Sequence, residues 1–234
     1  LQNPEEPHSA PGILVEALNR RRERGLRPFT VLSCDNIPDN GHVVRNAVIG
    51  MAETRSQELA DWIREHVTFP STMVDRIVPA ASPESLQVIT DTLGVEDPCA
   101  IAGEPFIQWV IEDRFANGRP AWERVGVELV ESVAPYEEAK IRLLNATHSC
   151  IAWAGTLAGY LYIHEGTHDA AIRQMAYDYV TDDAIPVLHT PEQPCPIDLE
   201  AYRDVVLDRF GNPAIADTNQ RVAMDAFSKI PGMI

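Results

Sequence analysis

The sequence predicts an α/β fold in which the end of a parallel sheet is followed by a mostly α-helical domain. One observation is a helical segment from about Ile13 to Arg24, which Gly25 closes and FTVLSC, Phe29 to Cys34, follows. Such a short, mainly apolar run is typical of a strand buried on both faces of a parallel sheet. The other observation is the second half of the chain, where apolar residues recur at the spacing of helices.

The remaining elements follow from local signals in chain order. Ser82 and Pro83 are typical of the start of a helix, and Pro135 with the acidic residues after it marks another start. FIQWVIED and VGVELVES have the composition of strands and are joined through the turn ANGRP. The segments predicted as helices are 43–66, 82–93, the central helix from 135, 169–180 and 198–209, and the predicted strands are 106–113 and 125–132.

Composition and charge exclude several classes of protein. The chain has 234 residues, 45% hydrophobic and 23% charged, enough for one large domain or two small ones. Its net charge of −16 argues against nucleic acid and anionic membranes as partners, because phosphate binding needs basic patches. The longest uncharged run, Ser149 to Ile163, is shorter than the ~20 residues that cross a bilayer.

The cysteines predict a reducing environment. They lie far apart and form no CxxC pair, so they signal neither a disulfide framework nor a thiolate zinc site. The four are Cys34, Cys99, Cys150 and Cys195. A cytoplasmic location is therefore expected.

Lysine usage draws attention to one stretch of the chain. Only two of the 19 basic residues are lysines, Lys140 and Lys229. Arginine replaces lysine as a charge or as a donor, but it keeps its proton and cannot accept one. A lysine retained in such a chain is therefore a candidate proton acceptor, and the alternative is chance survival in an arginine-rich sequence.

Lys140 opens KIRLLNATH, a segment of the central helix that also carries Asn145 and His148. His148 lies on the apolar stripe of this helix with Asn145 next to it, because residues three apart are neighbours. On a regular α-helix Lys140 is rotated by about 140° from Asn145. Its long side chain must therefore bend around the helix to approach Asn145. We expect the three polar tips to converge beside one pocket. The alternative for His148 is a core histidine with satisfied hydrogen bonds.

Two further pairs of residues are weaker candidates. Asp35 and Asn36 follow the predicted strand, and ligands of open α/β sheets collect beyond the carboxyl ends of strands. The alternative for this pair is ordinary turn chemistry. Asp75 and Arg76 are adjacent, and their alternative is a surface ion pair that contributes little.

A zinc site is a competing hypothesis. HEGTH, His164 to His168, matches the HExxH pattern in which two histidines bind zinc and the glutamate activates water. Against it, Gly166 weakens the required helix by about 1 kcal/mol relative to alanine. In addition, Ala171 and Gln174 stand where the glycine and third histidine of the longer motif would fall. The motif predicts a zinc metallopeptidase as the alternative function.

Four segments carry a resemblance to a known family. In chain order they are FTVLSCDNIPDNG, FPSTMVDRIVP, PYEEAKIRLLNATHSCIAWAGTLAGYLYIHE and DTNQRVAMDAFSKIP. Together they resemble the polyol-specific long-chain dehydrogenases, the mannitol dehydrogenase family, of which K-x4-N-x2-H is a specific signature. The resemblance implies an NAD-dependent, metal-independent interconversion of a sugar polyol and a ketose, with D-arabinitol to D-xylulose favoured.

The same resemblance implies a role for each candidate residue. Lys140 would be the general base that removes the hydroxyl proton while hydride leaves for the nicotinamide. Asn145 and Asn36 would donate amide hydrogen bonds to the developing oxyanion, and His148 would hold substrate hydroxyls. The residues that would complete the polyol pocket are Asp75, Arg221 and Lys229.

The resemblance also sets the expected domains. Residues 1–68 would be the C-terminal part of a Rossmann-like NAD-binding domain, and residues 69–234 a mainly helical substrate and catalytic domain. The strands within 106–132 would be able to pack on the NAD-binding domain. No glycine-rich fingerprint such as GxGxxG occurs, which departs from the family. We therefore expect a fragment of a chain about twice as long, which by itself binds NAD poorly.

Several alternatives stay open at this point. Within the family they are mannitol 2-dehydrogenase and a sugar-acid reductase such as fructuronate reductase. Outside it they are the zinc metallopeptidase and a non-catalytic acidic binding module, the latter favoured if the two lysines are surface-exposed. The expected assembly is a monomer or a weak homo-oligomer.

Overall fold

The computed structural model describes residues 5–192, 194–224, 226, 227 and 230. The chain groups into two compact units. The first unit comprises residues 1–74 and 108–134, and the second comprises residues 75–107 and 135–234. The domain boundary expected after residue 68 stays a prediction about the domains of the family.

The first unit contains three helices and most of a small sheet. The helices are α1 (Ala10–Glu23), α2 (Asn40–Glu53) and α3 (Gln57–His66), and the strands are β1 (Thr72–Asp75), β2 (Gln108–Glu112) and β3 (Glu128–Val130). The strand order is β1-β2-β3, and β2 pairs with β3 in parallel, with Val110 opposite Glu128. The predicted strands at 106–113 and 125–132 are thus confirmed, with shorter limits.

The prediction of a buried strand at Phe29 to Cys34 is wrong. In the structure this segment has no regular secondary structure, and Cys34 is exposed while Val31 is buried. The Val31 N–H donates to the Thr68 carbonyl at 3.0 Å, and the Thr72 hydroxyl donates to the Ser33 carbonyl at 2.7 Å. An apolar run predicts burial, whereas a strand also needs a neighbouring strand, and none of the described segments supplies one here.

The helical region predicted over residues 43–66 is divided. α2 ends at Glu53, and α3 begins after Ser56, whose hydroxyl accepts the Leu59 N–H at 3.3 Å. A serine at this position satisfies an N–H that the first helical turn would leave without a partner. The capping residue therefore explains the break.

The second unit is mainly helical. Its elements are α4 (Pro83–Leu93), α5 (Ala134–Ala139), the π-helical segment π1 (Lys140–Asn145), α6 (Ala146–Ala158), α7 (Ile163–His168), α8 (Ala170–Asp178), the π-helical segment π2 (Tyr179–Ala184), α9 (Ile185–Leu188), α10 (Leu199–Phe210) and α11 (Asn219–Ala223). Ser82 and Ser85 form the two reciprocal bonds of a capping box before α4, which confirms the predicted helix start.

Two apolar clusters hold this unit around α10. The larger cluster joins α6, α8 and α10 through residues such as Ile151, Ala176 and Val206. The smaller cluster joins π1 to π2 through Leu143 and Val180. Both π segments are therefore packed in a core. Among the described helices, none combines the length and the apolar character needed to cross a membrane.

A substitution at Gly41 in α2 tests the packing of the first unit. A Cβ at this position would lie 2.7 Å from the Phe69 carbonyl oxygen and 2.7 Å from the Ser71 nitrogen. We expect Gly41→Ala to lower the free energy of unfolding by about 2 kcal/mol, because backbone atoms would have to move. The measurement is urea denaturation followed by circular dichroism.

Gly50, in the same helix, is the matched control. A Cβ there meets no atom within 4 Å. Gly50→Ala should therefore raise the free energy of unfolding by up to about 1 kcal/mol through helix propensity alone. Equal effects of the two substitutions would contradict the close packing at Gly41.

Candidate active site

The central helix changes its hydrogen-bond register at the candidate site. Lys140 to Asn145 form π1, and the Ala146 N–H donates to the carbonyl of Ile141, five residues earlier. Such segments are rare, and they occur often at functional sites. Because i→i+5 bonds bring residues five apart nearly above one another, Lys140 and Asn145 lie closer in rotation than the 140° expected of a regular α-helix. The sequence-based helical wheel was wrong at this point, since it assumed one α-helix.

Lys140 is buried, with 7% of its surface exposed. Burial lowers the pKa of its amine below the ordinary value. The carboxylates of Asp75 and Glu137 act in the opposite direction, and the Arg209 guanidinium lowers the pKa further. A lysine in this environment is better suited to accept a proton than one in water. Its burial also removes, at this residue, the condition that favoured a non-catalytic acidic binding module.

Asp75 belongs to a buried network and not to a surface pair with Arg76. Its two carboxylate oxygens each accept one N–H of Arg209 at 2.8 Å, and Oδ2 also accepts the Tyr202 hydroxyl at 3.0 Å. Burial, followed by the charge of Asp75, raises the pKa of Tyr202, so its hydroxyl remains a donor. Arg76 instead donates to the Glu104 carbonyl at 2.9 Å. The surface-pair interpretation of Asp75 and Arg76 was wrong because the partner of Asp75 is distant in sequence.

Glu104 completes the network on the other side of Arg209. Its carboxylate accepts from Arg209 Nη2 at 2.7 Å and from Arg209 Nε at 3.0 Å. It also accepts the Ile77 N–H at 2.6 Å. The Arg209 guanidinium lies 3.9 Å from the centre of the Phe106 ring. Burial alone would lower the pKa of Arg209, but hydrogen bonds to its two carboxylates outweigh burial and raise it.

Glu104 and Arg209 were not among the site residues predicted from the sequence. A signal existed for Arg209, because it follows Tyr202 and Val206 at helical spacing and so lies on the buried face of α10. Glu104 lies in an irregular segment, where periodicity gives no indication of burial. In the structure, its contact with Arg209 explains its burial.

His148 is mostly buried and contacts α10. Its ring stacks on Phe210 with 4.5 Å between ring centres, and its Nε2 lies 3.7 Å from Asp217 Oδ2. Arg221 forms an ion pair with the same Asp217. A small cavity of about 10 Å³ adjoins this group and is lined by Ile77, His148, Ile163, Arg209, Phe210, Ile215 and Asp217. His148 is therefore neither a plain core residue nor isolated, and Asp217, which sequence analysis missed, links it to Arg221.

The other predicted site residues are brought together only in part. Asn145 is half-buried at the end of π1, on the same continuous helix as Lys140 and His148. Asn36 is exposed and belongs to the first compact unit, so its approach to Lys140 stays a prediction. Lys229 lies outside the described residues.

Asn40 holds the loop that carries Asp35 and Asn36. Its side-chain amide donates to the carbonyls of Asp35 and Thr72, each at 2.9 Å, and its side-chain oxygen accepts the Thr72 N–H at 3.0 Å. With 1% of its surface exposed, Asn40 acts as a buried brace between the loop and β1. Asp35 therefore contributes its backbone to the loop, in agreement with the turn interpretation.

The HEGTH motif begins a helix. The Glu165 carboxylate accepts the N–H groups of Leu161 at 2.9 Å and Tyr162 at 2.8 Å, and these bonds lower its pKa. The rings of His164 and His168 lie 6.2 Å apart. Among the described residues, no group of three or more His, Cys, Asp or Glu side chains is arranged to hold a metal ion. The glutamate that would activate water in a zinc peptidase thus caps α7 instead.

Burial of Lys140 predicts a pH-dependent stability. Its pKa is lowered in the folded chain, so between that value and about 10.4 the unfolded chain binds more protons, and stability rises with pH. Relative to a Lys140→Met variant, the wild type should gain about 1.4 kcal/mol in free energy of unfolding for each pH unit of that lowering. Denaturation in urea at pH 7, 9 and 10.5 measures this difference.

Arg142→Met provides the control for that series. Arg142 pairs with Glu138 at 3.2 Å and is two positions from Lys140, but arginine does not lose its proton in this pH range. Its difference from the wild type should therefore not change with pH. Parallel pH curves for the wild type and Lys140→Met would contradict the lowered pKa.

The chain is similar to several named oxidoreductases. D-arabinitol 4-dehydrogenase of Ralstonia nicotianae is 57% identical over 95% of this chain and 47% of that protein. D-mannonate oxidoreductase of Escherichia coli is 52% identical over 99% of this chain and 47% of that protein. The chain thus spans about half the length of the curated relatives it matches.

The fold is that of a solved polyol dehydrogenase. The ternary complex of Pseudomonas fluorescens mannitol 2-dehydrogenase with NAD and D-mannitol superposes with a TM-score of 0.85 and 43% identity, over 99% of this chain and 46% of that one. The predicted α/β, Rossmann-like class is confirmed. The mannitol dehydrogenase Rossmann domain matches residues 2–124 and the mannitol dehydrogenase C-terminal domain matches residues 132–234. These two matches cover nearly the whole sequence and show that the chain belongs to the mannitol dehydrogenase family.

Proposed function

We propose that the longer protein containing this chain is an NAD-dependent, metal-independent oxidoreductase that interconverts a sugar polyol and a ketose. The observation that carries the proposal is the buried Lys140 amine, with its lowered pKa, in a π-helical segment of a mannitol dehydrogenase family member. D-arabinitol to D-xylulose is the favoured reaction, because D-arabinitol 4-dehydrogenases are similar over nearly the whole chain. A sugar-acid reductase is the second candidate, since the D-mannonate oxidoreductase is nearly as similar.

Lys140 is proposed to act as the general base. An alcohol is a very weak acid, so oxidation at the carbon is assisted when a neighbouring base accepts the hydroxyl proton. Burial disfavours the ammonium form, which leaves more of the amine neutral near physiological pH than in an exposed lysine. Positioned general bases typically contribute a rate factor of about 10²–10⁴.

Amide donors are proposed to stabilise the alkoxide. Asn145 at the end of π1 and Asn36 after the first extended segment would each donate one N–H to the substrate oxygen as it loses its proton. Such donors act without a metal ion, and each is worth about 3 kcal/mol in known oxyanion holes. The two asparagines therefore take the polarising role that zinc has in other alcohol dehydrogenases.

The remaining polar residues are proposed to bind the other hydroxyls of the polyol. His148 lines the cavity beside α10, and Arg221 is held next to it by Asp217. Asp75 retains acceptor capacity, because a carboxylate has about four lone-pair positions and three are used by Arg209 and Tyr202. Lys229 is proposed to complete this set.

NAD would supply the hydride acceptor when it is bound. The chain contains no glycine-rich turn that could cradle a diphosphate, so its residues do not by themselves form the phosphate-binding part of an NAD site. What this chain contributes is the base, the amide donors and the polyol-binding side chains.

Lys140→Ala in the longer protein tests the role of the base. We expect kcat with D-arabinitol to fall by about 10²–10⁴, because the hydroxyl proton loses its acceptor. The measurement is NADH absorbance at saturating NAD and polyol. The same assay after dialysis against EDTA should show unchanged turnover.

Arg142→Ala is the control for this substitution. It removes a neighbouring basic side chain that pairs with Glu138 at the surface, and it should leave kcat within about twofold. Turnover that survives Lys140→Ala unchanged would refute the proposed mechanism.

Asn145 and Arg221 should differ in the kinetic parameter they affect. Asn145→Ala removes a donor that acts on the transition state, so kcat should fall by about 10²–10³. Arg221→Ala removes a binding contact made equally in the ground state, so KM should rise with a much smaller change in kcat. Steady-state kinetics with D-arabinitol separates the two effects. A pure KM effect of Asn145→Ala would count against its role at the oxyanion.

A further inference from the structure

We propose that Glu104 and Arg209 are positioning residues for the Lys140 base. In this proposal Glu104 anchors the Arg209 guanidinium, and the guanidinium clamps Asp75 and offsets its negative charge beside the amine. The inference rests on the proposed function, because it concerns how Lys140 is kept ready to accept a proton. Neither residue contacts the substrate in the proposed mechanism.

The geometry places four ionisable groups in one buried cluster. Glu104 and Asp75 are 2% and 4% exposed, and Arg209 and Lys140 are each 7% exposed. Arg209 is fixed by five hydrogen bonds to the two carboxylates, at 2.7 to 3.2 Å. Removing such groups from water costs several kcal/mol each, so an arrangement of this kind needs its partners to be complete.

The charges of the cluster explain why Arg209 matters to Lys140. The carboxylates of Asp75 and Glu137 favour the protonated amine, and the Arg209 guanidinium opposes them. Without the guanidinium, both negative charges would act on it, and a nearby opposite charge favours the protonated form. Arg209 therefore reduces the stabilisation that the carboxylates give to the protonated amine. Glu104 keeps Arg209 in place and at the same time limits its positive field.

The groups around Lys140 come from several elements. Asp75 lies at the end of β1, Glu137 is in α5, and Arg209 and Tyr202 are in α10. Asp75 and Glu137 raise the pKa of the amine, while Arg209 lowers it. His148 follows on the same helix. From π2, the Tyr179 hydroxyl donates to the Arg142 carbonyl at 3.3 Å and so supports the backbone of π1.

The first variant exchanges the pair Glu104 and Arg209 for neutral residues. Glu104→Gln with Arg209→Met removes one negative and one positive charge, so the net charge of the cluster stays the same. Methionine also suits the position over the Phe106 ring. Asp75 is then no longer clamped. We expect the pKa of Lys140 to rise by about one pH unit or more, because the guanidinium no longer offsets the charge of Asp75 beside the amine.

The second variant should move the pKa in the opposite direction. Glu104→Gln alone leaves the charge of Arg209 less compensated, so the pKa of Lys140 should fall. Asp75→Asn should lower it as well, since it removes the largest neighbouring effect that raises this pKa. Each single substitution keeps Arg209 paired with one carboxylate, so these variants decide the question if the double variant does not fold.

The measurement is NMR of the longer protein labelled at lysine Nζ, titrated between pH 6 and 11. The Lys140 signal is identified as the one absent from Lys140→Arg. Opposite shifts in the double variant and in Glu104→Gln support the proposal. The acidic limb of the kcat/KM profile should move in the same directions. A Lys140 pKa that is unchanged in folded variants would overturn it, because a purely structural network lowers stability without moving that pKa.

This design separates the inference from the proposed function. The titration needs neither NAD nor polyol, so it reports on the network even if the protein oxidises another substrate. A moving Lys140 signal without polyol oxidation would contradict the proposed function alone. Normal polyol oxidation with an unmoved Lys140 signal would contradict the inference alone.

Discussion

Burial of one amine beside a clamped carboxylate is the constraint on which the second unit depends. Transfer of a charged side chain from water to the protein interior costs free energy. This cost applies to each of the four buried residues, Lys140, Asp75, Glu104 and Arg209. The cost is reduced because each carboxylate bonds the guanidinium and Glu104 also accepts a backbone N–H. Asp75, the segment around residue 104, α10 and π1 must therefore keep their positions together. A change in any one of them would leave a buried charge without its partner.

The π-helical register follows from the same constraint. A regular α-helix would turn Lys140 away from the face that carries Asn145, and π1 brings them closer without breaking the helix. A π-helical segment has more residues per turn than an α-helix. Leu143 of π1 nevertheless packs with Val180 in a buried apolar cluster. π1 and π2 contact one another in this cluster and through the Tyr179 hydroxyl. The two irregular segments therefore stabilise each other.

Sequence reasoning succeeded where a signal is local and failed where it is not. The capped start of α4 and the strands β2 and β3 follow from short-range patterns. Lys140 was singled out by its rarity, and it is buried in the structure. The strand predicted at Phe29 to Cys34 failed because pairing depends on distant segments, and π1 failed because a helical wheel assumes a constant register. Glu104 and Asp217 were missed because a buried acid outside a helix has no periodicity to reveal it.

Arg221 and the buried cluster around Lys140 differ in exposure. The Lys140 cluster is buried, and its two carboxylates are bonded to Arg209, so substitutions within it should lower stability. Arg221, by contrast, has a side chain that is 53% exposed, and it forms an ion pair with Asp217, which lies beside His148. Its replacement should therefore leave the buried cluster intact. Relatives of similar identity carry names for different substrates, D-arabinitol and D-mannonate, so overall identity does not decide the substrate.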